Sequence, residues 1–360
     1  MPSAWSRPRE LVQLLDALAA QDLAPERFEV LVVDDGSAVA AAPLLERRAF
    51  PFDLKVLTQA AAGPAAARNR GLANARGRLV VFFNDDAVPA PDCLRRHLMA
   101  HAVSDEPRAV LGSFRLLQKH VRDSFAVHVE TSTALFAQPR MKPGVRYHGL
   151  ALCTGNVSLR RDHLAAVGGF DESLPYAGGE DSELGLRLER ELGLRVVFDP
   201  RVQAGHDHPL DAAGFAQRRR AVGWTSYRIE QRHPGTGLVA VGDWTAFAAE
   251  VDGEAGERAT LTRRIAAICA EEEMGERPRG KSRELAALAE RLGELEFRRG
   301  ALLAHQGGTP RGGPQVLERA PGLAPGRDRA GTPPPGALLA GEIGAERAPQ
   351  GAADGPSRPG

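Results

Sequence analysis

Four short clusters of acidic, amide or imidazole side chains stand at the ends of apolar runs or at the start of a helical pattern. They are Asp34-Asp35, Asn84-Asp85-Asp86, Glu180-Asp181 and His206-Asp207-His208. In open α/β sheets, ligands bind beside the carboxyl ends of the strands. Polar clusters that follow several successive apolar runs therefore predict a single site that holds a cation and a polar substrate.

The cluster Asn84-Asp85-Asp86 directly follows the apolar run 80–83. Two carboxylates that leave a buried strand repel each other unless they are paired, and a divalent cation is a natural partner. Oxygen ligands favour Mg²⁺ or Mn²⁺, and a neutral imidazole such as that of His206 also binds a transition-metal ion. The plain alternatives are a solvated turn before Pro89 for the acids and a solvated loop for the histidine.

Three further positions have both a functional and a structural interpretation. Asp35, at a strand end, can accept hydrogen bonds from a ribose or a base N–H, or the segment can simply be a capped turn. Glu180 and Asp181 can supply a general base that takes the proton of an attacking hydroxyl, although acidic residues are also favoured in any first helical turn. Arg68, near the start of an Ala-rich helix, can bind phosphate or buttress the acids.

The elements that must position these clusters alternate along the first part of the chain. Apolar runs predict strands over 28–33, 53–58, 79–83, 110–114, 156–159 and 195–198. Helical spacing predicts helices over 65–76, 91–101, 161–167, 181–192 and 212–229. The last of these carries Arg218, Arg219 and Arg220. The alternation predicts an α/β fold with a mostly parallel sheet and helices on both faces.

Composition excludes several classes of protein. The 360 residues are 43% hydrophobic and carry 46 basic and 46 acidic side chains, so bulk binding of nucleic acid is not expected. The three cysteines lie far apart, without the spacing of a zinc site, and fit a reducing compartment. No apolar run approaches the roughly 18 residues of a membrane span, and no signal peptide pattern is present. The expected location is cytoplasmic, with peripheral association with the inner face of the plasma membrane left open.

The composition changes along the chain and predicts three parts. Residues 1–235 hold all the clusters above. Residues 236–306 are helical and highly charged, which predicts a helical appendage. Residues 307–360 are rich in Gly, Pro and Ala, and such a composition buries too little apolar surface to offset chain entropy, so this tail is expected to be disordered.

Taken together, the motifs resemble the family 2 inverting glycosyltransferases of the GT-A fold. The resemblance runs from about residue 7 to residue 223 and rests on six stretches in a fixed order. These are residues 32–37, 63–69, 83–86, 155–158, 167–172 and 179–184. It implies transfer of a sugar from a nucleotide-diphosphate donor, usually a UDP-sugar, to an acceptor hydroxyl of a glycan or glycolipid in polysaccharide or glycoconjugate synthesis, with Mn²⁺ or Mg²⁺.

The resemblance also implies a role for each cluster. Asp181 is the base that deprotonates the acceptor, and Asp86 and His206 bind the metal, with His208 as the second choice for the imidazole. The nucleotide-sugar is bound by Asp35, Arg68, Asn84, Asp85 and Glu180. Asn84 departs from the acidic residue that is usual at its position, which weakens the expected grip on the metal and on the donor ribose.

The N-terminus is a larger departure. In the family an apolar strand precedes the helix that starts near Arg7, and residues 1–5 do not have the pattern of that strand. The first strand is therefore expected to be missing from this sequence, either because the true start lies upstream or because the strand has been lost. If the strand has been lost, the alternative is that this protein is a non-catalytic relative that binds a nucleotide-sugar. A nucleotidyltransferase is a third interpretation, which Gly179-Glu180-Asp181 disfavours.

Overall fold

The computed structural model describes residues 7–133, 138–277, 282–310 and 345–347. The expectation of a missing first strand concerns residues 1–6, which lie outside these ranges. The predicted disordered tail also lies outside them, apart from residues 307–310 and 345–347.

Strands and helices alternate through the first two thirds of the chain, and helices follow. The strands are β1 (Glu29–Asp35), β2 (Asp53–Gln59), β3 (Leu79–Phe83), β4 (Ala87–Pro89), β5 (Arg108–Leu116), β6 (Val145–Tyr147), β7 (Asn156–Arg160), β8 (Arg195–His206) and β9 (Ala345–Arg347). The helices are α1 (Pro8–Ala19), α2 (Ala41–Leu45), α3 (Pro64–Asn74), α4 (Cys93–Ala102), α5 (Ser124–Thr131), α6 (Arg161–Ala166), α7 (Glu180–Leu192), α8 (Ala212–Arg232), α9 (Trp244–Gly253), α10 (Ala255–Glu273) and α11 (Arg283–His305).

Two sheets form the framework, and together they confirm the α/β class. Strands β1 and β2 pair in parallel, with Glu29 opposite Asp53 and Asp35 opposite Gln59. The larger sheet has the order β3-β7-β5-β8-β6-β9, and β4 pairs with β8. Apolar side chains of α1, β1, β2 and β3 share one buried cluster, so the two sheets lie over a common core.

The larger sheet is mixed, whereas the sequence predicted a mostly parallel one. Among the described strands of this sheet, only β5 and β8 pair in parallel, and β7 is antiparallel to both β3 and β5. The physical reason lies in the connection between β5 and β7. It contains α5, the short strand β6 and irregular segments, and it ends near the carboxyl end of β5, so β7 enters the sheet from that same end.

The core of the larger sheet explains why β7 and α7 form. Strand β7 is buried at every position except its last residue. Leu184 and Leu188, one helical turn apart on α7, are fully buried and pack into the same cluster as Leu111 and Leu159 of the sheet. The apolar face of α7 thus fixes the helix against the sheet and places the acidic N-terminus of that helix at a defined position.

The C-terminal helices pack against α5 and α8. Helix α11 lies along α8 at very close range, because a Cβ atom added at Gly223 or Gly300 would come within 2.0 Å of a backbone oxygen of the other helix. A second buried cluster joins α5, α8, α10 and α11, with Phe125 and Phe215 at its centre. Within the described ranges, none of the helices is both long enough and apolar enough to cross a membrane.

Candidate active site

A buried carboxylate and imidazole form the centre of the candidate site. Strand β4 pairs with β8 so that Ala87 lies opposite His206, which brings the preceding Asp86 beside that histidine. The Nε2 atom of His206 is 3.3 Å from Oδ2 of Asp86, and the Nδ1 atom of His208 is 3.7 Å from the same oxygen. The side chains of Asp86 and His206 are 3% and 6% exposed, so both groups are withdrawn from water.

The electrostatic surroundings keep Asp86 ionised. Burial alone would raise the pKa of its carboxyl group, but the hydrogen bond and charge of His206 and the charges of Arg7 and His208 hold that pKa below its usual value. The guanidinium of Arg7 contacts Oδ2 directly. The second oxygen, Oδ1, is buried and has no hydrogen-bond partner among the described residues.

Because Oδ1 of Asp86 is a buried acceptor without a hydrogen-bond partner, this carboxylate is suited to binding a cation. A carboxylate with one or two neighbouring imidazoles is a donor set that Mn²⁺ accepts. Among the described residues, no group of three or more His, Cys, Asp or Glu side chains is already arranged to hold a metal ion. A metal ion held at Asp86 would therefore have few protein ligands, as is usual for ions that also bind substrate phosphates.

Asn84 and Asp85 lie in the turn between β3 and β4. The backbone oxygen of Asn84 accepts a hydrogen bond of 3.0 Å from the amide of Ala87, which closes the turn. Asp85 lies 3.8 Å from Arg7 and is partly exposed. Partial burial and the negative charge of Asp86 raise the pKa of Asp85 to about 6. Arg7 thus faces both acids of the cluster.

Asp181 occupies the first turn of α7, after two glycines with positive φ angles of 124° and 107°. Its Oδ2 accepts hydrogen bonds from the amide (3.1 Å) and hydroxyl (3.3 Å) of Thr154, and its Oδ1 accepts one of 2.9 Å from the amide of Ser182. Burial and the neighbouring charge of Glu180 raise the pKa of Asp181 to about 6, against the opposing charge of Arg68. A held carboxylate with a pKa near neutrality is suited to general-base catalysis.

Arg68 and Glu180 form an ion pair that supports this helix start. Nη1 of Arg68 is 2.6 Å from Oε1 of Glu180, which is 2% exposed, and the amide of Gly178 donates to Oε2 at 2.7 Å. The Arg68 guanidinium also lies over the ring of Phe170, 5.5 Å from its centre. Of the two roles that the sequence leaves open for Arg68, the described contacts correspond to buttressing the acids.

Asp34 and Asp35 have different partners at the end of β1. Asp34 accepts backbone hydrogen bonds from Ser37 and Ala41, both 2.8 Å long, so it closes the turn. Asp35 accepts 2.8 Å bonds from the amides of Ala62 and Gly63, which tie it to the loop before α3. These contacts match the capped-turn interpretation for Asp34.

The loop before α3 also reaches the segment that leads to Asp181. A Cβ atom at Gly63 would lie 2.3 Å from the backbone oxygen of Pro175, so the two segments are in close contact. The loop that holds Asp35 is therefore in contact with the segment that precedes α7.

Strand register brings the remaining residues to one end of the larger sheet. Phe83, which precedes Asn84, pairs with Asn156 on β7, and Leu116 pairs with His206 on β8. Thr154, which holds Asp181, stands two residues before Asn156. The clusters predicted from the sequence thus converge on a single region.

Helix α8 contributes one arginine to this region. Burial lowers the pKa of His208 to about 4 and raises that of Cys153 to about 12, and the positive charge of Arg218 acts on both groups, so Arg218 lies near both the Asp86 side and the Asp181 side. Arg219 and Arg220 instead contact α11, through the backbone oxygen of Gly293 and the carboxylate of Glu296. Only the first of the three arginines therefore faces the site.

Sequence reasoning missed Arg7 and Thr154. Arg7 contacts an aspartate 79 positions away, a relation that no periodicity indicates. Thr154 directly precedes the stretch 155–158 that the resemblance singled out, so its place before a buried strand was the available signal.

Comparison with known proteins gives a consistent result. Residues 3–168 match the family described as "Glycosyl transferase family 2", and residues 137–206 match "N-terminal domain of galactosyltransferase". The chain is 31% identical over 207 residues to Validoxylamine A glucosyltransferase of Streptomyces hygroscopicus subsp. limoneus, which covers 51% of this chain and 46% of that protein. It is 29% identical over 213 residues to Pre-mycofactocin glycosyltransferase of Mycobacterium tuberculosis, with 58% and 43% covered. The chain thus spans less than half the length of these two relatives.

A solved structure supports the fold. The mannosyltransferase PcManGT from Pyrobaculum calidifontis, in complex with GDP-Man and Mn²⁺, aligns with a TM-score of 0.53 at 18% identity, over 84% of this chain and 85% of that chain. At this identity the likeness concerns the architecture, which is GT-A-like.

Proposed function

We propose that this chain, whose residues 3–168 match the family 2 glycosyltransferases, transfers a sugar from a nucleotide-diphosphate donor to an acceptor hydroxyl with inversion at the anomeric carbon. The observation that carries this proposal is the convergence of two different acidic groups on one end of the sheet. Asp86 is held ionised beside His206, and Asp181 has a pKa of about 6. The reaction needs a cation-binding side and a proton-accepting side, and the two groups supply one each.

On the donor side, Asp86 and His206 would hold the divalent metal, Mn²⁺ or Mg²⁺, and His208 is a second imidazole within reach. When bound, such an ion neutralises the negative charge that gathers on a leaving diphosphate. Arg218 adds a fixed positive charge, and Asp85 and Asn84 line the same turn. The proposed donor is a UDP-sugar, with Asp35 at the nucleotide-base end of the site.

On the acceptor side, Asp181 receives the proton of the attacking hydroxyl. The acceptor oxygen forms a bond to the anomeric carbon while the bond from that carbon to the diphosphate oxygen breaks, and the proton moves to the Asp181 carboxylate. The hydrogen bonds from Thr154 and Ser182 fix the direction of that carboxylate, and the Arg68–Glu180 ion pair fixes the helix that carries it. A group oriented in this way needs no reorganisation during the reaction.

We also propose that different parts of the chain have different roles. Residues 1–235 form the catalytic part and residues 236–306 a helical appendage that packs on α5 and α8. The acceptor is proposed to be a glycan or glycolipid in polysaccharide or glycoconjugate synthesis, reached from the cytoplasm or from the inner face of the membrane.

The first experiment is a thermal-shift titration of the full chain with UDP, GDP and TDP, each with and without Mn²⁺. A ligand that binds only the folded protein raises the melting temperature by mass action. We expect a metal-dependent rise with UDP, and a rise with GDP alone would reassign the nucleotide base. A folded protein that shows no shift with any nucleotide contradicts the proposal.

A transfer assay separates an enzyme from a binding protein. UDP-sugars are incubated with Mn²⁺ and the release of UDP is followed with and without added glycan acceptors. Metal-dependent UDP binding without any hydrolysis or transfer would identify the non-catalytic relative instead.

A further inference from the structure

A break in the β5–β8 ladder lies directly upstream of the candidate metal ligand. The parallel register runs regularly to Gly112 opposite Asp199 and resumes at Ser113 opposite Gln203. Residues 200–202 of β8 therefore have no partner on β5 and form a bulge. The contacts that close this break therefore determine where residues 203–206 of β8, including His206, lie relative to β5.

The side chain of Asn156 closes the break. Its Nδ2 donates to the backbone oxygens of Ser113 on β5 (3.0 Å) and of Val202 in the bulge of β8 (3.1 Å), so it links the two strands across the break. Asn156 is completely buried. Gly112 leaves room for it, because a Cβ atom at that position would lie 2.3 Å from the amide nitrogen. Two backbone oxygens that the bulge removes from the ladder are thereby satisfied.

A hydrogen-bond chain behind Asn156 gives its amide one orientation. Backbone oxygens only accept, so Nδ2 faces them and Oδ1 must accept from Nε2 of His97, 2.9 Å away. Nδ1 of His97 then accepts from the hydroxyl of Ser158 at 2.8 Å, and that hydroxyl oxygen accepts from Nε2 of His101 at 2.9 Å. Burial lowers the pKa of His97 to about 4, so the imidazole stays neutral, as the chain requires.

We propose that Asn156 is a positioning residue for the Asp86–His206 pair. By tying the bulge of β8 to β5 at Ser113, it fixes the segment that ends at His206 against β4 and thus against Asp86. Two amides report on this geometry: Leu117 donates to the backbone oxygen of His206 (3.0 Å), and Asp207 donates to that of Asp86 (2.8 Å). The part of the inference that concerns metal affinity rests on the proposed function.

The test uses Asn156→Asp, which keeps the shape of the side chain but replaces the donor with an oxygen facing two carbonyls. Hydrogen exchange should accelerate at Leu117 and Asp207, and Mn²⁺ affinity measured by calorimetry with UDP should fall by about 10- to 100-fold, as for other residues that orient metal ligands. The matched control is Asn74→Asp, the same chemical change on the exposed end of α3, which should alter neither quantity.

A second perturbation keeps the test decisive if Asn156→Asp fails to fold. Gly112→Ala crowds the Asn156 amide from the other side while leaving its chemistry intact, and it should produce the same paired changes. If wild-type protein binds no Mn²⁺, the proposed metal site fails. The exchange measurement still tests whether the hydrogen bonds of Asn156 position β8. Exchange at Leu117 and Asp207 that equals wild type in both variants overturns the inference. A uniform acceleration that includes β1 and α7 also overturns it, because that result shows a purely structural role.

Discussion

Asp181 offers a prediction in which stability and catalysis change in opposite directions. The variant is Asp181→Asn. Burial raises the pKa of the carboxyl group from 3.8 to about 6, so the folded state favours the neutral acid over the anion. Above pH 6 the anion in the folded protein costs about 3 kcal/mol relative to the unfolded chain, because each unit of pKa shift corresponds to about 1.4 kcal/mol. Asparagine is neutral at every pH and avoids this cost.

The sign and the pH window follow from linkage. A raised carboxyl pKa destabilises the folded state above the folded pKa, and the effect disappears below the unfolded pKa of 3.8. Asparagine has only one acceptor oxygen, so the variant also loses hydrogen bonds to Thr154 or Ser182. That loss is the same at every pH and lowers the stability of the variant relative to wild type by about 1–2 kcal/mol throughout. The pH-dependent part therefore isolates the ionisation of Asp181.

The assay is urea unfolding of wild type and variant at pH 7.5 and pH 5.0. The stability difference, variant minus wild type, should fall by about 1.4 kcal/mol between these pH values, from a carboxylate cost of about 3 to about 1.6 kcal/mol. Turnover should fall by about 10²- to 10⁴-fold while UDP binding is retained. Asp252→Asn, on the exposed face of α9, is the control and should show no pH-dependent difference. A stability difference that stays flat with pH refutes the raised pKa and removes the physical basis for Asp181 as the base.

Three further perturbations test other parts of the site and its support. Asp86→Ala should abolish the Mn²⁺-dependent part of UDP binding in calorimetry, and undiminished metal dependence would remove this residue from the metal site. Arg68→Ala leaves Glu180 buried without its partner and should lower the unfolding free energy by about 3 kcal/mol, whereas Arg70→Ala on the exposed side of the same helix should be silent in the same urea titration. Glu272→Ala removes the buried carboxylate that accepts from the first turn of α5 and should cost about 2 kcal/mol; an unchanged melting temperature would show that α10 is not anchored there.

The predicted elements matched the structure where a local pattern was strong. The run 79–83 became β3 at the same bounds, and 181–192 became α7 with one residue added, because burial on one or both faces leaves a periodic trace in the sequence. The direction of β7 left no such trace. It depends on where the preceding connection ends, which is a property of three-dimensional packing. The sequence therefore predicted the strand but placed it in a mostly parallel sheet.

The site shows the same division. The sequence could place acidic and imidazole residues at element ends, as at Asp86 and Asp181, because residue type and position coincide there; their roles stay predictions. The partners that tune them were not found, because Arg7 and Thr154 approach from distant parts of the chain. Three consecutive arginines stand on α8, and packing against α11 separates Arg218 from its two neighbours. Charge alone could not show which side chains that helix turns towards the site.

The close packing of α8 against α11 has a consequence for the order of events during synthesis. Helix α8 brings Arg218 to the site, but its other face is covered by a helix that the ribosome makes only after α9 and α10. Gly223 and Gly300 lie where the two helices approach each other most closely. The apolar face of α8 therefore stays exposed to water until α11 has emerged from the ribosome. A chain stalled before residue 283 would therefore expose this face of α8 to chaperones and proteases, although residues 1–235 have all been made.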